Sequence, residues 1–125
     1  MIYGIGTDLV DPARIARLLE KYGDRFARRL LSEDEWPEYT RSARPALFLA
    51  KRFAAKEALS KAFGTGIRPP VILTHIGVTH DDLGKPYFSF HPELSAYARN
   101  KGITSHQLSI SDETNLVCAF VILEK

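Results

Sequence analysis

The chain has 125 residues, carries 17 Lys and Arg against 15 Asp and Glu, and is 45% hydrophobic. That length fits one domain spanning 1–125, with a core that needs no disulfide or metal, and the Leu, Ile, Val and Phe content excludes disorder as the dominant state. No apolar run approaches the roughly 18 residues of a membrane span, and a net charge of +2 is too small to imply nucleic acid by itself.

From the N-terminus, residues 2–9 read as a strand. MIYGIGTDLV has neither the basic n-region nor the long apolar core of a secretory signal. With a single cysteine in the chain, this predicts a cytoplasmic protein. Asp11-Pro12 gives a helix start, with Asp as N-cap and Pro at the first helical position. Ile15, Leu18, Leu19 and Tyr22 then follow the spacing of one buried stripe, and Gly23 is the stop. Residues 24–31 continue a basic, amphipathic theme. Ser32 and Glu35 have capping-box spacing, and Pro37 permits only a short helix there. The longest helix runs over about 46–63, between Pro45 and Gly64. Residues 72–79 and 86–90 read as a hairpin across HDDLGK. Pro92 opens a further helix that Gly102 ends, with Leu94, Tyr97 and Ala98 facing inward. Residues 103–111 and 116–123 form a last antiparallel pair. The final strand is apolar on both faces and is therefore expected at the centre of its sheet, with Cys118 as a small buried hydrophobe. The fold class is α+β: an antiparallel sheet packed with a long helix.

On that long helix, Leu47, Phe48, Ala55, Ala58, Leu59 and Ala62 share one face. Glu57 lies on the other half, among Leu49, Ala50, Phe53 and Ala54. A helix apolar on two sides implies a second packed surface or an interface. A carboxylate there needs a cation or strong donors, and Lys61 at i+4 offers one, whether as a plain surface pair or as part of a site. Asp8 ends the first strand with Gly4 and Gly6 on its side of the pleat. Asp11 is the better cap, which leaves Asp8 without a structural job. Two carboxylates on rigid elements with lysines nearby suit a hard cation holding a diphosphate. Lys51, Arg52, Lys56 and Lys61 make the helix basic, either as a solvated face or as a phosphate site with Gly64-Thr65-Gly66, which is not a Walker loop. His75 and His80 lack metal-site spacing. Arg14, Arg17 and Lys21 fall opposite the first apolar stripe and, with Arg25 and Arg28, form a basic face, either plainly solvated or a docking surface for an acidic partner.

Taken in order, GIGTDLV, RFAAKEALSKAFGTGI, GKPYF and LSISDE before an apolar last strand resemble the holo-[acyl-carrier-protein] synthase family, the small bacterial-type 4′-phosphopantetheinyl transferases, over nearly the whole chain. The resemblance implies transfer of 4′-phosphopantetheine from coenzyme A to a serine of apo acyl carrier protein, in support of fatty acid biosynthesis. It also implies homotrimers with active sites between subunits. Carried over by motif, Asp8 and Glu57 would hold Mg²⁺, Lys61 would contact the phosphates, and Gly64 and Thr65 would pack on the nucleotide. Arg52, helped by Lys51, would meet the 3′-phosphate. Gly84, Lys85 and Pro86 would line the adenine pocket, and Ser109 and Ser111 would approach the nucleotide from a facing strand. Asp8, Glu57 and Lys61 are the catalytic set, with Glu57 first and Asp8 second as base. Arg14, Arg17, Lys21, Arg25 and Arg28 would dock the acidic carrier. The chain departs from the family pattern where Asp112 stands in place of a histidine, for which His106 is no obvious substitute, and at Pro37. The rival readings are a basic module without catalysis, against which the lack of aromatic–basic interleaving counts, and a transferase serving other carriers.

Overall fold

A computed structural model describes residues 1–125. Strand β1 (Ile2–Val10) alternates between an outward row, Ile5, Thr7 and Leu9, and an inward row, Gly4, Gly6, Asp8 and Val10. Helix α1 (Pro12–Tyr22) starts as the sequence predicts: Asp11 accepts a hydrogen bond from Ala13 N–H at 2.9 Å, and Gly23 ends it at φ 60°. Its stripe is less buried than expected. Ile15 is enclosed, but Leu18 and Leu19 are half-buried and Tyr22 is 50% exposed, because α1 lies at the edge of the molecule. Helix α2 (Asp24–Leu30) comes directly after it, burying Ala27 and Leu30.

Pro37 does divide the next stretch. A 3-10 turn (Glu33–Glu35) leads into the five-residue α3 (Trp36–Thr40), with Pro37 in its first turn. The expected capping box of Ser32 and Glu35 is in place, with Ser32 N–H donating to Glu35 Oε1 at 2.9 Å.

Helix α4 (Pro45–Phe63) is the axis of the molecule, ended by Gly64 at φ 81°. Leu49, Ala50, Ala54, Ala55, Ala58 and Leu59 are all fully enclosed. One chain therefore covers both apolar sides of this helix at these residues, so of the two alternatives, a second packed surface or an interface, the first is found. The cover is close where β1 crosses. A Cβ on Gly6 would stand 1.8 Å from the Ala58 carbonyl oxygen, and one on Gly4 2.0 Å from that of Ala62. Side-chain-free residues on β1 and alanines on α4 bring the two backbones together, which sets where Asp8 stands relative to the helix.

The remaining strands form two sheets rather than one. β4 (Ser105–Glu113) and β5 (Leu116–Glu124) complete an antiparallel sheet in the order β1-β5-β4, with β5 central as expected. β2 (Ile76–His80) and β3 (Pro86–Phe90) form a separate hairpin. β2 begins later than the sequence suggests because residues Leu73–His75 make a 3-10 turn. The sheets are linked by His106 on β4, whose Nε2 accepts from Phe88 N–H on β3 at 2.9 Å. Burial, and then the Lys85 charge, hold this imidazole below its ordinary pKa, as suits an acceptor. Helix α5 (Pro92–Asn100) buries Leu94 and Ala98 and sets Tyr97 edge-on against Phe63. Cys118 is only half-buried, because it belongs to the outward row of β5.

Candidate active site

The residues singled out from the sequence fall into two groups on one chain. The first lies where β1 crosses α4. Lys61 Nζ donates to the Thr7 carbonyl at 2.9 Å and pairs with Asp8 Oδ1 at 3.2 Å. Lys61 thus reaches across to β1 rather than back along its helix to Glu57. Half-buried Glu57 has its carboxyl pushed up, first by burial and then by the Asp8 charge, against the opposing pull of Lys61 and Arg14. The two carboxylates are near enough to repel each other, and Asp8 is only 16% exposed at its side chain. A divalent cation relieves such repulsion and takes oxygen ligands, so this donor set fits Mg²⁺. Arg14, placed on the docking face from sequence, is also an electrostatic neighbour of this group.

The second group surrounds a cleft of about 520 Å³ between α4 and the β2–β3 hairpin. Lys51, Arg52, Gly84 and Pro86 line it, as do Arg41, Arg44 and His80, which sequence reading missed. Of its charged walls only Glu38 is acidic, so the cleft suits an anion. The turn beneath Gly84 is fixed by Asp81, whose Oδ1 accepts from Leu83 and Lys85 N–H at 2.9 Å each. Gly84 itself stands at φ 87°, a conformation that glycine adopts without strain. The Lys85 side chain turns toward Gln107, 3.4 Å away. His80 has its pKa lowered by burial first and then by Arg52 and Lys51, with Glu38 and Asp81 opposing. Asp112 pairs with Lys51 at 3.2 Å, so it is the partner of a cleft lysine.

Arg52 is not the free cation that the resemblance implies. It is 4% exposed, donates through Nη1 to Glu35 Oε2 at 2.9 Å and to the Val78 carbonyl, and through Nη2 to Glu38 Oε2 at 2.6 Å. Lys56 corrects the picture of a solvated basic helix further. It is fully enclosed, donating to Glu35 Oε1 at 2.6 Å and to the Leu30 and Leu73 carbonyls. Burial lowers its pKa to about 8, against the pull of Glu35. Burial raises that of Glu35, but the Lys56 charge and hydrogen bond, with those from Ser32 and Arg52, leave it lowered overall. Sequence offered a signal here: Arg52 and Lys56 continue the stripe of Leu49, Leu59 and Phe63, and cations in a buried stripe demand an acid.

The other candidates lie elsewhere. Gly64 and Thr65 end α4, roughly 20 Å along its axis from Lys51. Ser109 and Ser111 are exposed on the outward row of β4, opposite Phe120 and Cys118 in register, and face away from α4. Arg14, Arg17, Lys21, Arg25 and Arg28 are all exposed and form no ion pairs within the chain. The Arg28 guanidinium lies 4.0 Å over the Trp36 ring. Leu18, Tyr22 and Phe26 line a groove beside Arg25 and Arg29, so this basic face has an apolar seam. His75 stacks on His91 at 4.1 Å with planes 10° apart, and Glu93 is close by. Parallel rings direct their lone pairs side by side rather than toward one ion.

Residues 4–121 match the 4′-phosphopantetheinyl transferase superfamily, and the chain belongs to it. Within that class, it is 77% identical to a holo-[acyl-carrier-protein] synthase of Nitrosospira multiformis, over all of both chains. Its structure superposes on the crystal structure of holo-[acyl-carrier-protein] synthase from Neisseria meningitidis with a TM-score of 0.97, at 52% identity and full coverage of both. A Bacillus anthracis holo-(acyl-carrier-protein) synthase, solved in complex with CoA (3′,5′-ADP), matches with a TM-score of 0.80 at 38% identity, over 98% of this chain and 96% of that one.

Proposed function

We infer that the chain transfers the 4′-phosphopantetheine group from coenzyme A to a serine of apo acyl carrier protein, releasing adenosine 3′,5′-bisphosphate. The observation that carries this reading is the pairing of a two-carboxylate, one-lysine group with a cationic cleft in a chain so similar to named synthases. Asp8 and Glu57 would hold Mg²⁺, which when bound supplies positive charge to the coenzyme A diphosphate. Lys61, held in place by the Thr7 carbonyl, presents its ammonium where charge develops on the transferred phosphoryl group. Glu57 is the base for the carrier serine. Lys51, Gly84 and Pro86 receive the nucleotide end in the cleft, with Arg52 at its wall. The cytoplasmic fatty acid pathway is the setting this chemistry serves, and no helix is long and apolar enough to cross a membrane.

A homotrimer with shared sites fits two features. Ile5, Leu9, Leu116 and Phe120 are 58%, 63%, 44% and 42% exposed on one face of the three-stranded sheet, an apolar surface that a second copy would cover. Ser109 and Ser111 lie on that same face, so a neighbouring copy is what brings them to a nucleotide. The hydrophobic cluster is continuous from β1 to β5, which supports one transferase domain over 1–125. The exposed arginines beside the apolar seam of α1 and α2 suit an acidic helical carrier. The reading is tested by following adenosine 3′,5′-bisphosphate released from coenzyme A. Release requires apo carrier and a divalent cation; release without carrier would make the chain a hydrolase and overturn it.

A further inference from the structure

Glu35 is 3% exposed, and its carboxylate accepts four hydrogen bonds, from α4, from β2 and from Ser32 N–H. Oε1 takes Lys56 Nζ at 2.6 Å and Ser32 N–H at 2.9 Å; Oε2 takes Arg52 Nη1 at 2.9 Å and Val78 N–H at 3.0 Å. Arg52 also donates to the Val78 carbonyl, so one acid and one guanidinium bracket a single peptide position of β2. Two residues further on stands His80, where the hairpin bearing Gly84 and Pro86 leaves the strand. The two walls of the cleft, α4 and the hairpin, are therefore pinned to each other through Glu35. Lys56 also donates to the Leu30 and Leu73 carbonyls, so its ammonium keeps two acceptors when the Glu35 carboxylate is replaced. Buried ion pairs add little net stability over apolar side chains of similar volume. What this one does fix is geometry, because Arg52 reaches the cleft with Nη1 committed and Nη2 on Glu38.

We propose that Glu35 is a positioning residue for the nucleotide cleft, holding the Arg52 guanidinium and the β2–β3 hairpin at the spacing that receives the ribose phosphate of coenzyme A. This rests on the reading that the cleft takes the nucleotide end.

Three variants and two ligands test it. Calorimetry gives dissociation constants for coenzyme A and for dephospho-coenzyme A, which lacks only the ribose phosphate. The wild-type chain favours coenzyme A by about tenfold or more, the range expected of charge-assisted hydrogen bonds. All four partners of Glu35 are donors, so Glu35→Gln sets its NH2 against one pair of them and leaves Arg52 at most a neutral acceptor in place of a carboxylate, and the preference falls below about threefold while dephospho-coenzyme A binds as before. Lys56→Met loosens the same core but leaves Glu35 on Arg52, so it loses stability and keeps the wild-type preference. Glu35→Gln with Lys56→Met removes one buried cation with the acid, which keeps a folded protein available, and it shows the collapsed preference. A Glu35→Gln protein that still discriminates overturns the proposal alone. So does a Lys56→Met protein that ceases to discriminate, because loosening would then explain both. If neither protein carrying Glu35→Gln folds, the carboxylate is a folding determinant and the proposal fails. A wild-type chain that does not discriminate overturns the cleft reading together with the proposal.

Discussion

Gly6→Ala is the substitution in which packing and chemistry are most tightly joined. The added Cβ would lie 1.8 Å from the Ala58 carbonyl oxygen and 2.8 Å from Ala62 N, both backbone atoms of a fully packed helix. Ordinary contact begins near 3.4 Å, so β1 and α4 must separate by more than an ångström. Neither can move freely: β1 is paired along β5 from Ile2 to Val10, and Ala54, Ala55, Ala58 and Leu59 of α4 are fully enclosed. Overpacking of this kind costs about 1–3 kcal/mol, and a contact between backbones belongs at the upper end or beyond. With a urea slope of roughly 1.5 kcal/mol/M, the unfolding midpoint falls by about 2 M. Asp8 is two residues away and moves with the strand, out of reach of Lys61 and Glu57. Misplacement by about 1 Å removes roughly a hundredfold of rate even where the protein remains folded. Urea titration followed by circular dichroism, with transfer assayed well below the transition, checks both parts. A midpoint within about 0.3 M of wild type, or full activity, refutes the close approach of β1 and α4 as the device that positions Asp8.

Asp8→Ala and Glu57→Ala each reduce transfer by orders of magnitude with circular dichroism unchanged, and activity within about threefold of wild type in either sinks the metal-site assignment. Arg17→Glu raises the KM for carrier, leaves coenzyme A binding alone, and shows a defect that shrinks as salt rises. Arg17 is a cleaner probe than Arg14, whose charge is felt at Glu57. An unchanged carrier KM would remove Arg17 from the docking face. Because the Glu35 carboxyl is held below its ordinary 4.5, the unfolded chain binds more protons between the two values. Stability from Glu35 is therefore complete above about 4.5 and is lost as pH falls through the folded value, so Glu35→Gln flattens the acid limb of Tm against pH; an unaltered limb contradicts this. Mixing Asp8→Ala subunits with subunits carrying both Ser109→Ala and Ser111→Ala regenerates intact sites, about one quarter after random exchange in a trimer, whereas activity that stays at the level of the separate variants refutes a site shared between subunits.

How far the sequence revealed this arrangement depended on whether the controlling interaction was local. The bounds of α4 were legible because Pro45 and Gly64 impose them on their own backbone. Asp8 was legible because the period of two sets it on the side of Gly4 and Gly6. Lys61 was misleading: helix spacing offers Glu57 as its partner, and only the close approach of β1 brings the Thr7 carbonyl and Asp8 within reach. Glu35 looked like a local capping residue and does bond Ser32 N–H, but its main partners come from α4 and β2. No periodicity reports a contact between residues so distant in sequence. The same limit hid the division of the strands into two sheets, since pairing of β3 with β4 was as compatible with their patterns as the side-chain link through His106.

A chain that modifies a carrier serine with part of coenzyme A changes the mass of that carrier. Purified chain is incubated with coenzyme A, Mg²⁺ and apo acyl carrier protein, and the carrier is weighed by mass spectrometry. The carrier gains the mass of one 4′-phosphopantetheine group, a gain absent when the carrier serine is replaced by alanine and absent with the Asp8→Ala chain. An unmodified carrier in the presence of folded wild-type protein, or a gain that survives loss of the serine, would contradict it.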